Sequence, residues 1–178
     1  IIDLPAAGSL TYSGTAVTAN QVIAAANIGN LVFTPAANAN GDAYTTFTYQ
    51  VSDGSTYSAS TYTMTVNVTA VNDAPSISTT GITTSVTEDV ASVVKGITFS
   101  DVDSSSALTV TLSVNSGALS VVNSTGLTSV SGDGSSSLTL VGTASQLSTY
   151  INTNEKVQFT TASNSTSDVT LTVVVSDA

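Results

Sequence analysis

The chain has 178 residues, of which 8% are charged, with twelve acids, two lysines (Lys95 and Lys156), no Arg, no His and a formal net charge of −10. Nothing in that balance neutralises phosphates or anionic headgroups, so nucleic acid and negatively charged membrane surfaces are excluded as partners and cations are favoured. Without Cys or His there is no disulfide, no thiolate zinc site and no Ser-His-Asp triad, and 41% hydrophobic residues argue against disorder.

Ten of the twelve acids are Asp, a residue of turns and hard-cation sites rather than of helix surfaces. No run approaches the ~20 apolar residues of a spanning helix, so no membrane insertion is expected. The chain opens at Ile1-Ile2-Asp3 without Met or a signal peptide and reads as an internal piece of a longer secreted protein.

In chain order, Thr18 to Asn27 is expected to form a short helical stretch, opening on Thr and closing on Asn. Thr46 to Val51 alternates apolar and polar residues, as does Tyr62 to Thr69, with Asn40-Gly41-Asp42 and Ser52-Asp53-Gly54 as turn signals. Pro75 ends the next segment and holds Ala74 extended. Leu108 to Val114 and Val169 to Val173 alternate again, Gly132-Asp133-Gly134 reads as a hairpin turn, and Thr143 to Asn152 is a second helical stretch. Period-two runs rich in Thr and Val put apolar side chains on one face and hydroxyls on the other, the pattern of half-buried antiparallel strands.

An internal repeat runs through these elements. Gly14-Thr15-Ala16, Gln21-Val22, Phe33-Thr34, Asn38, Asp42 and Val51-Ser52-Asp53 match Gly142-Thr143-Ala144, Gln146-Leu147, Phe159-Thr160, Asn164, Asp168 and Val175-Ser176-Asp177. Residues 1–72 are then expected to be the C-terminal part of one repeat, truncated at its N-terminus. Residues 73–178 are expected to be the next repeat, lacking its last strand.

Val71-Asn72-Asp73-Ala74-Pro75, Thr87-Glu88-Asp89, Phe99-Ser100-Asp101-Val102-Asp103 and Val51-Ser52-Asp53-Gly54 resemble the motifs of cadherin-like repeats in large bacterial adhesins of the RTX type and of biofilm-associated surface proteins, as does Phe33-Thr34-Pro35 followed by Asn38, Asn40, Gly41 and Asp42. The resemblance spans essentially the whole chain. It implies tandem Ig-like antiparallel β-sandwiches, calcium where one repeat meets the next, an extracellular place on a bacterial surface, and a non-enzymatic role as extender or adhesin. The glycine-rich nonapeptide of calcium-binding β-rolls is absent.

Strand lengths test that implication. At ~3.3 Å per residue, the 15 residues from Asp73 to Glu88 cross a sandwich about 50 Å long, and the 13 from Glu88 to Asp101 return. Asp101 and Asp103 then lie beside Asn72 and Asp73, and the strand ending at Val175 delivers Asp177 to the same end. Asp42 is expected to face the junction from the preceding repeat. The expected Ca2+ ligands are therefore Asp42, Asn72, Asp73, Asp101, Asp103 and Asp177, with Glu88 serving the far end of the repeat and the next junction. Calcium takes six to eight oxygens, and clustered carboxylates repel one another unless a divalent ion sits among them. The ordinary reading of each Asp is a turn residue. Two further roles compete with the extender: a module binding glycans or like copies through its sandwich surface, and an accessory domain of a secreted enzyme. Neighbouring repeats of the same chain, and glycans or other cell-surface proteins, are the expected partners.

Overall fold

A computed structural model describes residues 1–82, 85–103 and 106–177. The chain forms two compact units, Ile1–Val71 and Asn72–Ala178. Both are built from short antiparallel strands, so the expected all-β class is what is observed. Among the described residues no helix is long and apolar enough to cross a membrane.

The first unit contains β1 (Ser9–Tyr12), β2 (Thr15–Ala16), a 3-10 helix (Ala25–Asn30), β3 (Leu31–Thr34), β4 (Gly41–Tyr49) and β5 (Tyr62–Val68). β1 lies between β2 and β3, and β4 pairs with β5. Ser13 (φ 48°) and Gly14 (φ 79°) join β1 to β2 in a two-residue turn with both central residues at positive φ, the twist a tight hairpin needs. Leu10, Val17 and Phe47 are buried, with Ile1, Tyr12, Leu31, Phe33 and Val66 packed around them.

The second unit contains β6 (Ser76–Thr79), β7 (Ser92–Val93), β8 (Ile97–Ser100), β9 (Leu108–Val114), β10 (Ala118–Val121), β11 (Ser129–Ser131), β12 (Ser137–Gly142), α1 (Ala144–Asn152), β13 (Val157–Thr160) and β14 (Leu171–Ser176). Its sheets run β11-β12-β9-β14, β10-β13-β7 and β6-β8. The alternation read from Leu108 to Val114 buries Leu108, Val110, Leu112 and Val114 on one face of β9. Among the described residues fifteen buried side chains form one core, including Leu138, Leu140, Leu147, Tyr150 and Ile151.

The internal repeat has a structural counterpart. Leu10 pairs with Phe33 across β1 and β3, and Leu119 pairs with Phe159 across β10 and β13. Before each Leu strand stands a glycine at positive φ, Gly8 (76°) and Gly117 (85°). A Cβ on Gly8 would lie 2.5 Å from Phe33 Cζ, and one on Gly117 would lie 2.4 Å from the Thr160 carbonyl oxygen, so neither site admits a side chain. After each Phe strand, Asn38 (φ 59°) and Asn164 (φ 53°) occupy the third position of turns closed by Ala39 N–H to Ala36 O and Ser165 N–H to Ala162 O. Asn tolerates that left-handed conformation better than most residues. Leu10 and Phe33 are 23 positions apart and Leu119 and Phe159 are 40, the difference lying in the longer β11–β12 hairpin.

Two expectations change. The second helical stretch exists: Thr143 caps α1, its hydroxyl accepting from Gln146 N–H while the Gln146 side chain accepts from Thr143 N–H. The first does not form an α-helix. Thr18 and Gln21 make half of that box, Thr18 N–H donating to Gln21 Oε1 at 2.9 Å, then Asn20 turns to φ 63° and only the 3-10 turn at Ala25–Asn30 follows. The repeat is therefore registered on Thr18-Ala19-Asn20-Gln21 against Thr143-Ala144-Ser145-Gln146, and the match of Gly14-Thr15-Ala16 to Gly142-Thr143-Ala144 is superseded.

Candidate cation site at one end of the second unit

β6 and β8 run antiparallel with Ser76 opposite Ser100, so the residues before β6 and after β8 emerge together. β14 reaches the same end, because its last residue, Ser176, pairs with Thr109 at the start of β9. Four acids and one amide converge through this topology. Asp73 N–H donates to Asp103 Oδ2 at 2.9 Å, Asp103 N–H donates to Asp101 Oδ1 at 3.3 Å, and the Asn72 amide donates to Asp177 Oδ2. A hollow of about 430 Å³ beside them is lined by Asp73, Ala74, Ser76, Ser100, Asp101 and Val102.

The electrostatics are one-sided. The Asp103 carboxyl is held below the usual carboxylate range, first by the N–H of Asp73 and next by a hydrogen bond with the Asp101 side chain. Both lysines are engaged elsewhere. Lys95 pairs with Glu155 at 3.1 Å, and Lys156 donates to Asn123 Oδ1 and the Thr125 carbonyl. The donors at the site are all hard oxygens, chemistry that suits calcium or magnesium and excludes soft metals. Among the described residues no three carboxylates are gathered closely enough to enclose a metal ion, and the acids are linked as a hydrogen-bonded chain.

The other two expected ligands, Asp42 and Glu88, are carried by different segments of the chain. Asp42 is on the first unit, exposed at the end of the β4–β5 ribbon where Gly41 pairs with Val68. An irregularity there puts Ala43 at φ 50° and ties its N–H to Asn67 Oδ1. Glu88 is exposed and lines, with Asp168, a groove of about 850 Å³ in the second unit. Asp168 precedes β14 and Asp177 follows it, so these two acids sit at opposite ends of that strand.

Three acids do work that the sequence reading missed or understated. Asp89, at φ 58°, accepts from Asn164 N–H while its own N–H donates to Thr161 Oγ1, joining the loop before β7 to the turn after β13. Asp133 is in the β11–β12 hairpin turn as expected, but its carboxylate also accepts from Val121 N–H at 2.8 Å and ties the turn to β10. Asp53 is a turn residue, accepting from Ser55 N–H at 2.8 Å and Thr56 N–H at 3.0 Å. A carboxylate two or three residues before a Ser or Thr is the local signal for the last case. The other two are tertiary contacts without a local signature.

Residues 5–69, within the first unit, match the cadherin-like domain family. Such a domain is an adhesion-type module, typically extracellular and non-enzymatic. No curated protein and no solved structure matches the chain.

Proposed function

We propose that the chain is a stretch of a calcium-stabilised extender in a bacterial cell-surface adhesin, with Asp73, Asp101, Asp103 and Asp177 as the carboxylate ligands and Asn72 as an amide ligand. The supporting observation is the convergence of these residues at one end of the second unit while both lysines are committed elsewhere. A calcium ion would replace the N–H donors that now offset the negative charge and would join three separate chain segments. Those segments are the entry into β6, the exit from β8 and the end of β14. Because Asn72 and Asp73 immediately follow the first unit in sequence, ion binding would stiffen the chain where one repeat hands over to the next. The match of residues 5–69 to a cadherin-like domain supports the same reading. The long extender holds a distal binding domain away from the cell and carries out no catalysis itself.

Thermal melting with calcium and with EDTA tests this. Calcium is expected to raise the melting temperature by several degrees, since binding to the folded state alone stabilises by about 2.7 kcal/mol at a hundredfold excess over Kd. The double variant Asp101→Ala, Asp103→Ala is expected to abolish the calcium response. Asp133→Ala is expected to lower the baseline by removing the Val121 contact while keeping the full calcium response. A melting temperature that does not distinguish calcium from EDTA refutes the proposal.

A further inference from the structure

Asn followed by Gly is the pair at which a peptide chain most readily reacts with itself. No side chain shields the glycine nitrogen, so it can reach the carbonyl carbon of the preceding Asn side chain. Asn40-Gly41 is the only such pair in the sequence. Asn40 is exposed, and among the described residues no hydrogen bond holds its side chain. Gly41 has φ 141° and nothing within 4 Å of where a Cβ would stand. It pairs with Val68, but an irregularity separates that pair from the regular ladder beginning at Thr45, so it sits at the fraying end of the β4–β5 ribbon.

The fold restrains the competing sites. Asp133 accepts from Val121 N–H while Gly134 N–H donates to the Leu119 carbonyl oxygen at 2.9 Å. Asp53 accepts from Ser55 N–H and Thr56 N–H, and Gly54 N–H donates to Ser52 Oγ at 3.1 Å. The Asn72 amide donates to Asp177, and Asp73 N–H donates to Asp103. After Asn164, Ser165 N–H donates to the Ala162 carbonyl oxygen. At each of these positions the nitrogen that would attack is already committed to an acceptor.

We propose that Asn40 is a site of spontaneous deamidation, a slow one-way modification that adds an acid to the first unit. The Gly41 nitrogen attacks Asn40 Cγ. The new N–Cγ bond closes an imide ring as the Cγ–Nδ2 bond breaks, and ammonia leaves with the former Gly41 amide proton. Water then opens the ring. Opening at Cγ gives aspartate, and opening at the main-chain carbonyl gives isoaspartate, whose backbone runs through the side-chain carbon. One water enters and one ammonia leaves. Either product carries a carboxylate two positions before Asp42, the spacing of Asp101 and Asp103. The first unit has three acids, Asp3, Asp42 and Asp53, so it gains a fourth where β4 begins. Isoaspartate also adds one backbone carbon beside the irregularity at which Ala43 N–H donates to Asn67 Oδ1.

Incubation of the folded chain in mildly alkaline buffer, read site by site by peptide mass spectrometry, tests the proposal. Conversion is expected to raise the mass of the peptide holding residue 40 by the difference between OH and NH2. It is also expected to shift the intact chain to a more acidic peak on ion exchange. Enzymatic methylation of isoaspartyl carboxyls from S-adenosylmethionine is expected to label the aged chain at residue 40. The Asn40→Gln variant, whose longer side chain closes the ring far more slowly, is expected to take no label there. Unfolding in urea separates the role of the fold from that of the sequence. It is expected to speed conversion at Asn72 and Asn164 by about tenfold or more, because their hydrogen bonds have to open first, and to change the Asn40 rate by less than about threefold. An Asn40 that survives incubation unconverted would overturn the proposal. So would an Asn40 that urea accelerates as much as it accelerates Asn72, since the fold would then guard both alike.

Discussion

The same ten-residue pattern gives a helix in one unit and a turn in the other. Thr18-Ala19-Asn20-Gln21-Val22 and Thr143-Ala144-Ser145-Gln146-Leu147 carry equivalent caps, and each stretch ends on Asn, at Asn27 and Asn152. In the second unit Leu147, Tyr150 and Ile151 are buried, and Asn152 accepts from Gly96 N–H and Ile97 N–H of the β8 segment while donating to the Ile97 carbonyl. In the first unit the same positions hold Val22, which is 73% exposed, Ala25 and Ala26. A nine-residue helix is too short to stand on propensity and capping alone. Burying one face against β8 decides its existence, so the helix belongs to the tertiary structure of the second unit rather than to its local sequence.

The two cores differ in the same sense, fifteen buried side chains against three among the described residues. The largest expected effect follows from that contrast. Leu112→Ala and Leu140→Ala, each at a fully buried residue, are expected to cost about 3–4 kcal/mol, whereas Leu10→Ala, in a core able to collapse around the loss, is expected to cost about 2 kcal/mol. Chemical denaturation measures both, and hydrogen exchange is expected to be faster throughout β1, β3 and β4 than in β9 and β12. Equal protection in the two units would break the comparison.

The shared glycines sharpen it. Gly8→Ala and Gly117→Ala are each expected to destabilise their own unit by about 2 kcal/mol through left-handed strain and collision with the Phe strand. Gly134→Ala, at φ 74° in open space, is expected to cost only about 1 kcal/mol. Caps come next in size. Thr143→Ala removes the hydroxyl that accepts from Gln146 N–H and is expected to cost about 1 kcal/mol, while Thr18→Ala is expected to cost only a few tenths because no helix follows.

The smallest effect is electrostatic. The Asp53 carboxyl lies below its ordinary value of 3.8 because its charged form accepts first from Thr56 N–H and then from Ser55 N–H. A group whose folded pKa is depressed contributes stability above its unfolded pKa and loses it as pH falls through the folded value. The first unit is therefore expected to lose this small contribution below pH 3.8, and Asp53→Asn is expected to flatten that part of the acid melting profile. An unchanged profile would mean that the turn forms equally well with a neutral carboxyl.

Much of the fold was legible because period-two alternation is a strong signal. Leu108 to Val114 announces both a strand and its buried face. Two acids separated by one residue, at Asp101 and Asp103, follow β8, and the four-residue pairing of β6 with β8, rather than a 15-residue extended crossing, brings Asp103 to Asp73. The Thr18 stretch misled because its caps are local, whereas the small side chains Ala25 and Ala26 stand where the helix at Thr143 buries Tyr150 and Ile151. Asp89 escaped notice because its role depends on a turn 75 residues away.

The unequal spacing between the paired Leu and Phe positions, 23 residues in one unit and 40 in the other, shows where this architecture tolerates growth. Lengthening the closed segment by that amount adds about 0.5 kcal/mol of closure entropy, less than one well-buried methyl group returns. The added length is not left as a free loop: the β11–β12 turn is drawn back onto β10, Asp133 accepting from Val121 N–H and Leu119 N–H donating to the Ser135 carbonyl, so growth here thickens the wall of the unit rather than trailing into solvent.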